Sequence, residues 1–362
     1  MLRQTSMPIF APAPACIEAM RENSNDVNGL TAIVCCHNSS GVVVPTLQAL
    51  AAQSVPAGTV FEILVVDNAC SDDTVTVAHG ILGPGGSNYR IVREDRLGLI
   101  HARIAGVRAA RTAAVLFVDD DNILGPGYVE RVLSLFSACP DVGVIGGYAE
   151  PYLRGNRVPL WFLEVQGIFA CGPQRPDTGL LTGRKQYLYG AGLAFRAGVL
   201  RAALLGSLPP VLTGRTGMKL LRGDDTELCY RSRLDGAHLY YDERLRLRHN
   251  IDARRVTWKN VCTMRRQTGA TWILLNIYDR LILGMQPPTI TYMWALLAYR
   301  WARLFVKSAN LLQLPAQGRK VILNFHFLIG MTRSLLLMGR QYMQARESIM
   351  RTYGHGSQPW RN

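Results

Sequence analysis

Short apolar runs alternate with helix-like segments between residues 31 and 136, and this pattern predicts a strand followed by a helix four times in succession. Each predicted strand is apolar and bounded by polar or turn-forming residues. The strands are predicted at residues 31–36, 61–66, 89–93 and 115–118. The helices are predicted at residues 42–52, 72–82, 98–110 and 129–136. Repeated strand–helix units are typical of a doubly wound, parallel sheet.

Three consecutive aspartates, Asp119, Asp120 and Asp121, follow the fourth predicted strand. Unpaired carboxylates are costly to bury, so these side chains must face water, a cation or a hydrogen-bond donor. Ligands of parallel sheets bind beyond the carboxyl ends of the strands, where the pattern also places Asn38 and Asp67. The triplet therefore indicates either a solvated turn or part of a binding crevice assembled from distant residues.

Beyond a further predicted strand at residues 142–146, the chain becomes rich in Pro, Gly and aromatic residues. We interpret residues 151–184 as a loop on the substrate side, because long ordered connections often carry function. Residues 187–196 form a strand-like run that Gly190 and Gly192 interrupt. These glycines indicate a bulge, a tight turn, or backbone that a ligand approaches closely.

A second acidic cluster opens a predicted helix at residues 223–233. Asp224 is placed to cap this helix, and Glu227, three residues later, would complete a capping box. This interpretation leaves Asp225 without a structural role. His249 follows a strand predicted at residues 244–248, and from position alone it is either a structural residue or a ligand.

Two apolar stretches near the C-terminus, residues 290–299 and 321–339, are predicted helices. A membrane-spanning helix needs about 20 mainly apolar residues with few charges, and neither stretch clearly qualifies. Basic residues flank or interrupt both stretches, so they predict amphipathic helices that lie on an anionic membrane face. The alternative is a helical domain that packs on the sheet.

The charge distribution changes this picture by separating the chain into two halves. Residues 1–150 contain 9 Arg and no Lys against 15 Asp and Glu, a net charge of −6, whereas residues 151–362 contain 31 Lys and Arg against 11 acids, a net charge of +20. The basic half is expected to face nucleic acid, a phosphorylated substrate or an anionic membrane. The eight cysteines form no C-x-x-C pair, so we expect a reduced, cytosolic compartment.

In their order and spacing these motifs resemble the inverting family 2 glycosyltransferases. The resemblance covers residues 31–249 and rests on the strand–helix units, the D-x-D-type triplet, the G-D-D-T-E-L stretch and a later histidine. It implies a Rossmann-like nucleotide-diphospho-sugar transferase fold of GT-A type, with a mixed, mainly parallel sheet. We therefore expect a disordered tail (1–28), a catalytic domain (29–250) and a basic amphipathic, membrane-associated helical region (251–362).

The resemblance also implies a set of donor-binding residues. The aromatic position that contacts the base is occupied by His37, and the proline two residues before it in the family is replaced by Cys35. Contacts to the nucleotide are expected from His37, Asn38, Asp67, Gly98, Arg103 and Asp119.

The catalytic residues are implied in the same way. Asp119, Asp121 and His249 match the positions that hold Mg²⁺ or Mn²⁺, which neutralises the departing diphosphate as a Lewis acid. Asp224 and Asp225 match the catalytic acid pair, with Asp225 as the general base. An unperturbed aspartate has a pKa of about 3.9, low for a general base, and neighbouring acids are expected to raise it.

Processive members of the family carry a Q-x-x-R-W element, and the nearest run here, residues 265–269, does not match it. We therefore expect one hexose to be transferred per encounter, from a UDP-sugar to a lipid-linked or polysaccharide acceptor at the cytoplasmic membrane face. Nucleic acid is not expected as a partner. One alternative is a nucleotidyltransferase, although residues 39–42 lack the basic residues of its nucleotide loop. Another is a nucleotide-sugar-binding or membrane scaffold without activity.

Overall fold

In the computed structural model, the described residues are 27–182, 187–212, 215–216, 219–220, 222–309 and 318–354. The predicted tail, residues 1–28, lies outside them except for its last two residues. Val27 is buried, and the carbonyl of Asn28 accepts a hydrogen bond from the amide of Val60. These two residues therefore directly precede the first strand, at its amino end, and are already part of the fold.

Strands and helices alternate through most of the described chain. The strands are β1 (Gly29–Cys36), β2 (Val60–Asp67), β3 (Tyr89–Arg93), β4 (Ala114–Asp119), β5 (Asn122–Leu124), β6 (Val142–Tyr152), β7 (Gly179–Leu180), β8 (Leu193–Arg196), β9 (Arg215–Thr216), β10 (Lys219–Leu220) and β11 (His238–Asn250). The helices are α1 (Val44–Ala51), α2 (Thr74–Leu82), α3 (Leu99–Ala109), α4 (Tyr128–Ala138), α5 (Leu160–Leu163), α6 (Ala197–Leu205), α7 (Asp224–Leu234), α8 (Trp258–Ile282), α9 (Ile290–Ala309) and α10 (Gly318–Tyr353). Two 3₁₀ turns lie at Gln166–Phe169 and Ala253–Arg255.

Within the described residues, nine strands form one mixed, mainly parallel sheet in the order β3-β2-β1-β4-β8-β6-β11-β5, with β7 paired to β11. Strands β1 to β4 are parallel to one another, and β6 and β11 are parallel to each other. Strand β8 runs antiparallel between β4 and β6. The GT-A type of architecture is confirmed.

The four predicted strand–helix units are confirmed as β1–α1, β2–α2, β3–α3 and β4–α4, the last with the short strand β5 between its strand and its helix. A tight turn interrupts the strand-like run over residues 187–196, as its glycines indicated. Only Leu193–Arg196 is a strand, because Gly192 takes a positive φ of 67° and the chain turns there. The physical reason is that glycine adopts this backbone conformation without steric cost.

Register brings the polar ends of three strands together. Cys36 at the end of β1 pairs with Asp67 of β2, and Cys35 pairs with Asp119 of β4. Because these strands are parallel, their carboxyl ends open on one edge of the sheet. Residues more than 80 positions apart in sequence therefore meet at this edge.

Apolar layers cover both faces of the sheet. One layer packs strand residues against α1, α2 and α4, and it includes Leu47, Leu82 and Val132. The other packs the opposite face against α3, α6 and α7, and it includes Val107 and Leu200. Burial on both faces explains why the central strands read as continuous apolar runs.

The three C-terminal helices form a third apolar core with α7. Helices α8 and α10 cross in close contact at Gly269 and Gly330, where a Cβ on either glycine would collide with the backbone carbonyl of Phe327 or Arg266. One face of α9 and α10 therefore packs on the rest of the protein, as the alternative of a packed helical domain requires.

The opposite face of α9 and α10 leaves large apolar side chains exposed. They are Tyr292, Trp294, Tyr299, Phe305, Val306, Ile322, Phe325, Leu336, Leu337 and Met343. In the part of the chain that the structure describes, one helix, Gly318–Tyr353, is long and apolar enough to cross a membrane, with a mean hydropathy of 1.6 over an 18-residue window. A third of that window (33%) is buried inside the protein, less than in a core helix, which is mostly buried.

Candidate active site

A cavity of about 470 Å³ opens at the carboxyl ends of β1, β2 and β4. It extends across the sheet edge to the start of α7 and to the residues that follow β11. Eight of the ten predicted site residues line it: His37, Gly98, Arg103, Asp119, Asp121, Asp224, Asp225 and His249. Two acidic clusters that are about 100 positions apart in sequence therefore share one cavity.

The other two predicted nucleotide contacts, Asn38 and Asp67, are not among the lining residues. Asp67 accepts a hydrogen bond of 2.7 Å from Nη1 of Arg93 and one of 2.8 Å from the amide of Cys70. Burial opposes its charge, but these bonds lower the pKa of Asp67. The amide oxygen of Asn38 accepts a hydrogen bond from the amide of Ser71. Both side chains stabilise loops at the sheet edge, and their contact with a base stays a prediction.

The three consecutive aspartates have different surroundings. Asp120 accepts a hydrogen bond from the hydroxyl of Ser39, and its carbonyl accepts one of 2.9 Å from Thr46. Asp120 therefore ties β4 to the start of α1. Burial raises the pKa of Asp119, while the charge of Arg103 opposes that rise. All three aspartates line the cavity, and Asp120 differs in that its carboxylate and its carbonyl both accept hydrogen bonds from the start of the first helical unit.

Arg103 is almost fully buried and forms an ion pair with Asp224. Its guanidinium also lies over the ring of Phe117, 5.0 Å from the centroid. The pair joins α3 to the start of α7 across the cavity. Arg103 therefore sets the position of the second acidic cluster relative to the first.

Asp225 lies in the first turn of α7, and both of its carboxylate oxygens accept backbone hydrogen bonds. Oδ2 accepts one of 2.7 Å from the amide of Gly190, and Oδ1 one of 2.9 Å from the amide of Thr226. Burial, followed by the charge of Asp224, raises the pKa of Asp225. A Cβ at Gly190 would lie 3.1 Å from Oδ2 of Asp225. The backbone at Gly190 is thus approached closely by a carboxylate of the protein itself.

The predicted capping box at Asp224 and Glu227 was wrong. Gly223 occupies the N-cap, and Glu227 points away from it into the core. Its carboxylate accepts hydrogen bonds from the amides of Val211 and Leu212 and, at 2.9 Å, from the hydroxyl of Tyr278 on α8. Glu227 therefore binds the helix that carries Asp225 to the C-terminal helices, a long-range role that sequence spacing could not indicate.

Asp121 and His249 form the candidate metal-binding pair. Nε2 of His249 lies 3.4 Å from Oδ2 of Asp121, and its Nδ1 lies 3.7 Å from the thiol of Cys171. Burial disfavours the charged imidazole, but Asp121 raises the pKa of His249 to about 10. No group of three or more His, Cys, Asp or Glu side chains that could hold a metal ion occurs among the described residues. A carboxylate and an imidazole still fit a cation that takes its other ligands from phosphates and water.

Several cavity residues were not predicted from the sequence. Asn68 accepts a hydrogen bond from the amide of Gly98 and donates to the carbonyls of Glu94 and Arg96 in the loop before α3. It therefore shapes the cavity wall. Arg222, Arg255 and Met264 also line the cavity. Arg222 directly precedes the G-D-D stretch, and Arg255 follows His249 by six residues. Their closeness in sequence to predicted site residues is the feature that could have identified them.

Residues 31–169 match the sequence profile described as Glycosyl transferase family 2, which spans the four strand–helix units and the aspartate triplet. These residues form a family 2 glycosyltransferase domain. The uncharacterized protein MT1568 of Mycobacterium tuberculosis (strain CDC 1551 / Oshkosh) is 32% identical over 108 residues. That match covers 30% of this chain and 32% of the relative, so the chain matches about a third of the relative's length.

Solved structures share the fold of the glycosyltransferase domain. The mannosyltransferase PcManGT from Pyrobaculum calidifontis, in complex with GDP-Man and Mn²⁺, superposes with a TM-score of 0.53 at 16% identity and covers 88% of this chain and 92% of its own. TarS 1–349 of S. aureus, in complex with UDP-GlcNAc, superposes with a TM-score of 0.50 at 16% identity. The superposition covers 84% of this chain and 91% of TarS 1–349. At these identities the likeness concerns the GT-A fold.

A second cavity of about 650 Å³ adjoins the first, on the side of the glycosyltransferase domain that faces α8 and α10. Ala170, Arg222, Gly223 and Asp225 line both cavities. Asp225 therefore lies in the wall between a cavity at the sheet edge and a cavity to which the C-terminal helices contribute one side.

Proposed function

We propose that the chain transfers one hexose, with inversion, from a nucleoside diphosphate donor to a hydroxyl group of a glycan or lipid-linked acceptor. The position of Asp225 in the wall between two adjoining cavities carries this proposal. A direct displacement needs the donor and the acceptor to meet beside the base, so that the acceptor hydroxyl contacts both the base and the anomeric carbon. The proposal assigns the cavity at the sheet edge to the donor and the second cavity to the acceptor.

In the proposed reaction, the acceptor oxygen attacks the anomeric carbon from the face opposite the diphosphate. The bond between that carbon and the diphosphate oxygen breaks, and the nucleoside diphosphate leaves with the bonding electrons. The acceptor proton passes to the carboxylate of Asp225. Burial raises the pKa of Asp225 and so makes it a better proton acceptor than an exposed aspartate.

Asp121 and His249, together with Asp119, would hold Mg²⁺ or Mn²⁺. When bound, the cation would neutralise the negative charge of the departing diphosphate. The donor set and the complex of the mannosyltransferase with GDP-Man and Mn²⁺ support this assignment. UDP is the proposed nucleotide, with GDP as the second choice, because structural neighbours were solved with UDP-GlcNAc and with GDP-Man. His37, Gly98 and Arg103 are proposed to surround the nucleotide, with Asn38 and Asp67 supporting the adjacent loops.

The Asp225→Asn variant tests the proposed function. Asparagine keeps the size of the side chain and cannot accept the acceptor proton, so transfer is expected to fall by about 10²–10⁴-fold while donor binding persists. A panel of UDP-, GDP- and dTDP-sugars with Mg²⁺ or Mn²⁺ identifies the donor first. Glu347→Gln, a neutralised carboxylate on the exposed side of α10, is the control. Unchanged turnover in Asp225→Asn would reject the assignment of the base.

We also propose that residues 29–250 form the catalytic domain and that residues 251–362 form a helical region at the cytoplasmic membrane face. Two observations support contact with anionic lipid. Helices α9 and α10 expose apolar side chains, and the chain from residue 252 onward contains 16 Lys and Arg but only 3 Asp and Glu. Vesicles of phosphatidylglycerol are expected to bind the protein at low salt and release it at high salt. Equal binding to phosphatidylcholine vesicles, or none at low salt, contradicts this.

A further inference from the structure

The second cavity has the chemistry of a sugar-binding site beside a cationic site. Four aromatic side chains and a set of polar groups line it: Tyr187, Tyr189, Tyr230, Trp272, Thr268, Asn276 and Asn324. Aromatic faces cover the apolar face of a sugar ring, and hydroxyl and amide groups satisfy its hydroxyls. This lining fits an acceptor with a sugar at its reacting end.

Arg265 on α8 is the distinctive residue of this cavity. Its guanidinium lies over the ring of Phe327 at 4.7 Å from the centroid, and its Nε is buried without a hydrogen-bond partner. Among the described residues Arg265 takes part in no ion pair. Burial lowers its pKa, but an arginine stays charged under all ordinary conditions. A buried N–H group of a charged side chain without an acceptor is costly, so an acceptor supplied by a ligand stabilises it.

The charges around Arg265 favour an anionic ligand. Glu164, at the rim, is engaged by Arg319 at 2.7 Å. Burial raises the pKa of Asp279, which shares a hydrogen bond with Tyr230. Lys320 on α10 lines the same cavity, and in the described part of the chain it has no carboxylate partner. The cavity lining thus includes two cations, half-buried Arg265 and exposed Lys320, that form no ion pair among the described residues.

Arg265, Asp225 and Tyr187 all line the second cavity. The pKa of the Tyr187 hydroxyl is raised first by burial and then by the charge of Asp225, and is lowered by that of Arg265. Both charges therefore act on one side chain in the lining. A ligand in this cavity therefore shares its space with both Asp225 and Arg265.

We propose that the acceptor is a sugar that carries a phosphate group, with the phosphate bound by Arg265 and Lys320 and the reacting hydroxyl presented to Asp225. This inference rests on the proposed function, because it takes Asp225 as the base. A soluble sugar phosphate and a lipid-linked sugar diphosphate share this chemistry. A planar guanidinium binds two phosphate oxygens at once, which makes Arg265 the specific contact and Lys320 the weaker one.

Binding of simple sugars to the full-length protein tests the proposal. With UDP or GDP and Mg²⁺ saturating the donor cavity, hexose 1- and 6-phosphates are titrated by calorimetry against the matching methyl hexosides. At least one phosphate is expected to bind about tenfold or more tightly than its uncharged counterpart, as one charge-assisted contact provides. The Arg265→Gln variant is expected to remove that preference, and Arg265→Lys to retain part of it.

The neighbouring residue supplies the matched control. Arg266 is exposed and its guanidinium donates to Thr263, so Arg266→Gln removes the same charge from the same helix and is expected to keep the phosphate preference. Melting temperatures of all variants check that the contact of Arg265 with Phe327 is not required for folding. Loss of the preference in both variants alike would overturn the assignment of Arg265.

Other outcomes separate the possible ligands. Equal binding of phosphates and methyl hexosides by the wild type, binding of neither, or equally strong binding of glucuronate overturns the phosphate assignment without any variant. A sugar diphosphate on a short polyprenyl chain, tested beside the soluble phosphate, shows which source is preferred. Failure of the proposed function is seen separately, as absence of nucleoside diphosphate binding and of donor cleavage by the wild type.

Discussion

The sheet-edge wall of the candidate active site and its helical wall are built in different ways. His37, Asp119 and Asp121 reach the cavity because they follow parallel strands, so strand register alone sets their relative positions. Arg255 and Met264 reach it from the segment after β11, through the packing of α8 on the rest of the protein. The backbone thus fixes the chemistry of the first wall, and side-chain packing fixes that of the second. We therefore expect ligand binding at the first wall to respond to the removal of a single charged side chain. We expect the second wall to respond to changes that weaken the packing of the C-terminal helices.

The largest effect is expected at the sheet edge, from Asp121→Ala. Loss of this carboxylate is expected to weaken metal-dependent donor binding by about 100-fold or more, since even outer-shell changes at metal sites cost about 10–100-fold. Titration of Mg²⁺ or Mn²⁺ against donor affinity measures it. Asp120→Asn is the matched control, because Asp120 is bound to Ser39. A cation titration that Asp121→Ala leaves unchanged would reject the ligand assignment.

The helical wall is expected to respond through stability. Tyr278→Phe removes the hydrogen bond of 2.9 Å to buried Glu227 and leaves that acceptor partly unsatisfied, at a cost of about 1–3 kcal/mol in the free energy of unfolding. Denaturant midpoints measure this loss. Tyr292→Phe, at a tyrosine that is 47% exposed, is expected to change stability by less than about 0.5 kcal/mol. Equal midpoints for the two variants would show that α8 does not hold α7.

A smaller loss of turnover is expected where the two walls meet. In Gly190→Ala, the new Cβ would press on Asp225 at 3.1 Å and displace the base by a few tenths of an ångström. Turnover is expected to fall about tenfold, because catalytic groups must be held within about 0.5 Å of the productive geometry. Gly198→Ala, where nothing lies within 4 Å of the added Cβ, is the control. Full activity of Gly190→Ala would show that the contact does not position Asp225.

The smallest expected effect is a shift in pH dependence. The base must be ionised, and its raised pKa places the acid limb of kcat/KM above the pH at which an ordinary aspartate ionises, about 3.9. Asp224→Asn removes a like charge that raises the pKa of Asp225 and leaves Arg103, whose charge lowers it. Both changes move the limb to lower pH. A limb that moves to higher pH in this variant, while remaining in place in Asp95→Asn, contradicts the electrostatic account.

The sequence predicted the sheet edge well because the relevant signals are local. Each strand of the first four units is an apolar run that ends in polar residues, and parallel strands bring such ends together without further information. The order of strands beyond β4 was not predicted. The antiparallel strand β8 is four residues long and follows a turn, so its pattern does not specify a neighbour.

The helical wall could be predicted only in part. The C-terminal helices are evident from their apolar periodicity, but the residues that they bring to the cavities depend on how α8 and α10 pack. Arg265 begins residues 265–269, which were compared only with the Q-x-x-R-W element of processive enzymes, so it was not predicted as a site residue. Glu227 was assigned to a cap from its spacing, yet it binds Tyr278 about 50 positions away. Local patterns do not specify such long-range partners.

The backbone contact between Gly269 and the carbonyl of Phe327 limits how this protein can be altered. Thr268, Trp272 and Leu323 line the second cavity from the two helices that cross there. Because the main chains already touch, the gap between these helices cannot be narrowed, and larger residues at the crossing would force them apart. Variants intended to change the size of ligand that the second cavity accepts should therefore replace Trp272 or Leu323 and keep Gly269 and Gly330.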